Sequence, residues 1–253
     1  IIGMSFSMHS EKAAESITKG KHGKVSQADV LLGLTEDVGL VHTSTGDAYA
    51  IITKDAVRQV LSVESEDFRL HLVHQYYLDQ NGRAPSDYAL KTAIDALRAK
   101  ARIEGQEVEV PLRVGEHNGN VYHNLANDRW EAVEITAKGY RVISEPPVLF
   151  TRTAGMLALP HPQPGGSIDL LRPLLNMADD DLWIQYVGWL VGCLNPWGPY
   201  PVQILQGEQG SAKSMGARMA KALLDPDASP LRTPPANDRE LMIAATHTQI
   251  LAF

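Results

Sequence analysis

Val202–Leu224 reads VQILQGEQGSAKSMGARMAKALL, and the rest of the chain leads to it. Val202, Ile204 and Leu205 make a short apolar stretch of strand character, a loop with Gly207 and Gly210 follows, and Met215–Leu224 has helical apolar spacing through Met219, Ala220, Leu223 and Leu224. The loop, Gly207-Glu208-Gln209-Gly210-Ser211-Ala212-Lys213-Ser214, falls one residue short of the phosphate-loop pattern GxxxxGK[ST]. Glycines let backbone N–H groups converge on phosphate oxygens, and the helix presents its free N–H groups and positive dipole end to the same anion. Lys213 is expected to reach the β- and γ-phosphates, and Ser214 to offer its hydroxyl to Mg2+. Ala212 stands where the pattern has its second glycine; if that residue needs φ > 0, alanine costs about 1–2 kcal/mol. The expectation is an ATP-binding loop spanning Gly207 to Met215, with Lys213 and Ser214 as the catalytic pair.

Composition sets the class. The 253 residues are 44% hydrophobic and 21% charged, which fits a soluble globular chain able to bury a core. A net charge of −7 offers no global basic field for nucleic acid, so any DNA contact must be local or lie largely outside this chain. A single cysteine, Cys193, excludes an internal disulfide and any cysteine-rich zinc site, and reads as a buried free thiol of a cytoplasmic protein. No stretch reaches the roughly 18 apolar residues of a membrane span. The chain starts at Ile1 and stops in the apolar run Ile250-Leu251-Ala252-Phe253, which reads as a piece of a longer protein.

Ahead of the loop lie three segments. Residues 1–24 read as a flexible tail. Residues 25–105 read as an α-rich module: a helix capped by Ser26, a hairpin around Ser44-Thr45-Gly46-Asp47, a helix over Glu66–Leu78, and a helix from Asp87 to Ile103 capped by Ser86 and stopped by Gly105. The helix pair has the form of a helix-turn-helix, which is also a common packing unit. Residues 106–160 carry VEVPLRV, NVYHNL, WEAVEIT and GYRVI, short alternating segments that predict a small antiparallel sheet. Leu159–Gly166 (LPHPQPGG) reads as a linker, and 165–253 as a helical lead-in to the loop. In that lead-in Leu182–Leu194 is apolar nearly all round, predicting a buried helix, and Gln249–Phe253 predicts a second strand.

The block from Val25 through PYPVQILQGEQGSAKS resembles prophage and integrative-element P-loop ATPases related to superfamily 3 and poxvirus-type primase-helicases of the AAA+ class. The resemblance implies an α/β P-loop NTPase fold of AAA+ type, of which this chain holds the N-terminal part of the core. It implies phosphate and magnesium roles for Gly207, Gly210, Lys213 and Ser214, ATP and Mg2+ as cofactors, and DNA as partner. It also implies a homo-oligomeric ring in the full-length protein and a helicase-like role in mobile-element replication. Ala212 and Met215 depart from the family's commoner Gly and Thr. The Walker B acid, sensor and arginine finger have no matching positions, so the chain reads as truncated within Walker B and as hydrolysing little alone. Two alternatives stand beside this reading: a nucleotide-regulated DNA-binding protein with little hydrolysis, and a P-loop phosphotransferase.

Other groupings carry less. His71 and His74 share a helical face as metal ligands do, but without a cysteine nearby or a sequence-local carboxylate–histidine partner they read as solvated or packed. Asp179-Asp180-Asp181 is explained by the dipole of a helix start. Arg218 and Lys221, past Ser214 on the loop's helix, read as solvent-facing.

Overall fold

The computed structural model describes residues 25–253 apart from Asn176 and Ala178, so the tail expected at 1–24 lies outside the described residues. Helix α1 (Gln27–Gly33) opens with a reciprocal capping box between Ser26 and Asp29. Strands β1 (Gly39–His42) and β2 (Ala48–Lys54) form the expected antiparallel hairpin. The hairpin is half of a larger sheet: β3 (Val57–Ser62) pairs with β2, and the two-residue β4 (Gln106–Glu107) runs parallel to β1, giving the order β3-β2-β1-β4.

Helices α2 (Glu66–Asp79) and α3 (Asp87–Glu104) start at Ser65 and Ser86, whose hydroxyls accept the N–H groups of Phe68 and Ala89. Alternation along β2 turns Ala48, Ala50 and Ile52 to one face, where Leu31, Phe68, Leu72, Leu90, Ala93 and Leu97 cover them. Gly105 ends α3, as expected, but with φ −74°. Its requirement is space, because a Cβ there would lie 2.3 Å from the Ala101 carbonyl oxygen and 2.8 Å from that of Leu40.

A second sheet is a simple meander of β5 (Val114–His117), β6 (Asn120–Asn124), β7 (Ala132–Thr136) and β8 (Gly139–Ile143). The sequence places the first strand too early: 108–113 is not in the ladder, because Arg113 turns inward to bond carbonyls of other segments instead of continuing it. One face of the meander buries Tyr122 and Ala132 with Val148 and Phe150; the other buries Leu125 and Val133 with Leu159.

Beyond the linker, a 3-10 helix (Ile168–Leu174), α4 (Asp180–Gly192) and α5 (Lys213–Leu224) share a core of Leu175, Trp183, Tyr186, Leu190 and Ala220. Asp179 caps α4 by accepting the Leu182 N–H at 2.8 Å. Helix α4 is not buried all round: Ile184 and Val191 are each 65% exposed, since only its Trp183-Tyr186-Leu190 stripe has helices to pack on. The two stretches read as strands, 202–206 and 249–253, carry no ladder among the described residues. Val202 and Ile204 are 86% and 75% exposed, as extended chain without a neighbouring strand leaves them. The short helix α6 (Asp238–Ala245) begins at Asn237, which accepts the Glu240 N–H.

The meander and the α5 region are bonded across the linker. Leu157 N–H donates to Pro226, Ala228 N–H donates to Gly155, and Met156 bridges to Asp227. No helix among the described residues is long and apolar enough to cross a membrane.

Candidate functional site

The loop before α5 is shaped by three backbone requirements. Gly210 has φ +85°, in the region that favours glycine. Gly207 faces Ser211 so closely that a Cβ would meet its Oγ at 2.6 Å. Ala212 takes φ +61° and ψ +17°, a left-handed residue despite its Cβ. The departure from glycine is therefore a strained position of about 1–2 kcal/mol.

Ala212 is also the residue from which α5 starts, and it provides no side-chain cap. The first helical bond within the turn runs from the Gly216 N–H to the Ala212 carbonyl at 2.9 Å. The N–H groups of Lys213, Ser214 and Met215 precede that bond and point out of the helix start, where a positive dipole end favours an anion. Gly216, buried at this turn, leaves little room for a side chain: a Cβ would lie 3.3 Å from Leu175 Cδ2, a tight contact.

Lys213 closes the loop. Its ammonium donates to the carbonyls of Gly207 at 2.8 Å and Glu208 at 2.7 Å, and to Ser211 Oγ at 3.2 Å. All three donors are thus engaged within the Gly207–Ser211 loop. Ser214 and Met215 are exposed beside it, as are Glu208 and Gln209. The structure therefore brings Gly207, Gly210, Ser211, Ala212, Lys213 and Ser214 into one turn with N–H groups, a cation and a hydroxyl together. The residues fit a triphosphate with Mg2+ in the chemistry of their donors: amides and ammonium for the phosphates, the Ser214 hydroxyl for the metal.

Lys221 departs from the sequence reading. It is 1% exposed, and its ammonium donates to Asp225 at 2.9 Å, Thr248 at 2.6 Å and the Ile250 carbonyl at 2.9 Å. It faces inward because the carboxylate one turn along the helix is itself buried. Asp225 also accepts the Thr248 hydroxyl, the Gln249 and Ile250 N–H groups, and Arg113 Nε. Burial alone would raise the Asp225 carboxyl, but the bonds from Thr248 and the Ile250 amide, with the Lys221 ammonium, hold it below the usual carboxylate range. This network fixes the C-terminal end of α5, while the loop sits at its other end. Only the i,i+4 spacing of Lys221 and Asp225 signals it in sequence; Arg113 lies in another module.

Arg218 is exposed, as read. Cys193 is buried, and burial pushes its thiol up to about 11, so it is inert at neutral pH. His71 stacks on Phe68 with centroids 6.2 Å apart, and no group of three or more His, Cys, Asp or Glu that could hold a metal occurs among the described residues.

Residues 168–253, which contain the loop, α5 and the Asp225 network, match the family model of the actinomycete integrative conjugative element replication protein. No curated protein and no solved structure matches the chain.

Proposed function

We propose that this chain carries the nucleotide-binding part of a mobile-element replication ATPase of P-loop type, binding ATP with Mg2+ between the Gly207–Ala212 loop and the start of α5. The observation that supports this reading most directly is that the Lys213 ammonium is folded onto the carbonyls of the glycine loop at a helix start with no side-chain cap. The similarity of residues 168–253 to a replication protein of integrative conjugative elements supports a setting in mobile-element replication, and the proposal adds DNA as partner and a cytoplasmic site of action. A homo-oligomeric ring and helicase-like coupling to DNA belong to the same proposal, since they come from the AAA+ resemblance.

The residues divide the work. The Lys213, Ser214 and Met215 N–H groups and the loop amides orient the phosphates, and Lys213 exchanges its carbonyl partners for phosphate oxygens. Ser214 supplies the protein ligand to Mg2+, and bound Mg2+ neutralises charge on the phosphates. Turnover also needs an acid that orients the attacking water, so these residues account for binding and positioning.

Titration with a fluorescent ATP analogue tests the reading. Removing a charge-assisted contact of this kind costs about 1.5–3 kcal/mol, so Lys213→Ala should weaken binding on the order of 10- to 100-fold. Equal affinity of the folded variant and the parent would remove the basis of the proposal.

A further inference from the structure

A cleft of about 690 Å3 lies between the first sheet with α2 and two parts of the second module, the turn between β6 and β7 and the segment after β8, far in sequence from the phosphate loop. Lys54 on β2, His71 and His74 on α2, and Trp130 and Arg152 from the second module all line it. The Arg152 guanidinium lies over the Trp130 ring, 3.9 Å from its centroid. Its terminal nitrogen bonds the Asn127 carbonyl, but its Nε is buried with no partner. Neither Arg152 nor Lys54 forms a salt bridge among the described residues.

Trp130 is held there at a cost. Its φ of +56° is a left-handed backbone for a bulky side chain, the kind of strain that surrounding structure must enforce. Enforcement is visible: Trp130 N–H donates to the Asn127 carbonyl at 3.0 Å, and Glu131 N–H to Asn127 Oδ1 at 3.1 Å. Glu131, which accepts both Asn127 and His161, anchors the turn from below.

We propose that this cleft binds single-stranded nucleic acid, with Lys54, Arg152 and the two histidines meeting phosphates and the Trp130–Arg152 pair giving a base a surface to stack on. The combination of unpaired cations and an indole is what backbone-tracking, base-stacking sites use. The volume admits a nucleotide unit and excludes a duplex, whose base pairs stay inside the stack. Gln59 and Gln75 add donors and acceptors at the walls. The replication reading bears on the choice of ligand; the cleft itself is independent of the phosphate loop.

Protonation should tune the site. Burial lowers the His71 pKa, and the charges of His74 and Lys54 lower it further. Asp55 and Asp67 are the carboxylates on the cleft wall, and Lys54 and Arg152 are its fixed cations. A bound phosphate opposes the repulsion at His71, so binding takes up protons and tightens as pH falls from neutrality.

The experiment is fluorescence anisotropy with a labelled oligonucleotide of about ten thymidines, a length within the footprint of such sites. Lys54 and His74 are exposed, so Lys54→Glu/His74→Glu should leave the fold intact, as circular dichroism will show. The expected result is binding that weakens about tenfold or more in that double variant, with a shallower salt dependence. Lys138→Glu, on the far turn of the meander, should leave it unchanged, and so should Lys213→Ala. Binding that is absent, insensitive to the double variant, or competed equally well by AMP overturns the site. ATP-analogue binding measured on the same preparations separates that failure from a failure of the phosphate-loop reading.

Discussion

Arg113 Nε donates to Asp225 Oδ1 at 3.0 Å, with both side chains almost wholly out of solvent, and so joins the start of the meander to the C-terminal end of α5. The guanidinium also bonds the Asn124, Leu157 and Pro226 carbonyls, so four of its five N–H donors are engaged. Removing the Arg113 guanidinium takes the partner from Asp225 Oδ1 and a donor from each of three carbonyls, of which Pro226 keeps the Leu157 N–H. Arg113→Met should therefore lower stability by about 3–5 kcal/mol in urea unfolding. A double-mutant cycle with Asp225→Asn should return a coupling of about 1–3 kcal/mol; strict additivity would show that the two side chains act separately.

Acid should loosen the same junction, in two steps of known sign. His123 sits in it, with Nε2 2.7 Å from the Leu224 carbonyl. Burial lowers its pKa, the Leu224 carbonyl partly offsets this, and the Arg113 charge lowers it again. The unfolded chain then binds the proton more readily than the folded one, so stability is full above the ordinary histidine value of about 6.5 and falls as pH drops below it. Asp225, whose folded pKa is depressed, adds a further loss below the ordinary carboxylate value of about 4. His123→Gln should flatten the first part of a stability-against-pH profile and leave the second. A profile unchanged by that substitution would place the titration elsewhere.

The helices were legible because their starts are chemical signals. Ser26, Ser86 and Asp179 stand where a side chain must accept the first free N–H groups, and each does so. Strand β3 was not, because VRQVLS buries only Val60 and so lacks the alternation that marks a half-buried strand. The turn at Gly207–Ser214 was legible in residue types and spacing, because Gly210, Ala212 and Lys213 act there through local backbone and hydrogen-bond geometry; its phosphate role belongs to the proposal. The Arg113–Asp225–Lys221 cluster was not: its members become neighbours only when the meander docks on α5, and a lysine on an exposed-looking helix face gives no sign of that. The extent of exposure at Val202 and Ile204 was equally hidden, because apolar residues in sequence do not say whether a neighbouring strand covers them.

Ala212 offers a direct test of the loop's backbone. A left-handed alanine pays about 1–2 kcal/mol that glycine does not, while glycine loses more chain entropy on folding by about 0.4–1 kcal/mol. Ala212→Gly should thus be neutral to stabilising by up to about 1.5 kcal/mol. Ala212→Val should be destabilising by more than 1 kcal/mol or so, since a β-branched side chain is an outlier at this φ. Thermal melts of the pair check the order, and Val tolerated as well as Gly would mean that the residue is not left-handed in solution.

The two buried or loop-facing lysines of α5 should separate by function. Lys213 is engaged only by the loop's carbonyls and Ser211, all at the exposed end of the helix. Lys221 is enclosed by Asp225, Thr248 and the Ile250 carbonyl at the other end. Lys213→Ala should therefore reduce nucleotide affinity while shifting stability by less than about 1 kcal/mol, as surface substitutions do. Lys221→Ala should do the reverse, lowering stability by about 3–5 kcal/mol because the Asp225 carboxylate loses a buried counter-charge. Affinity for an ATP analogue, measured well below the melting temperature of each variant, completes the comparison. A Lys221→Ala protein of parental stability would contradict the buried ion pair, and one that keeps its fold but loses nucleotide would move the binding site along the helix.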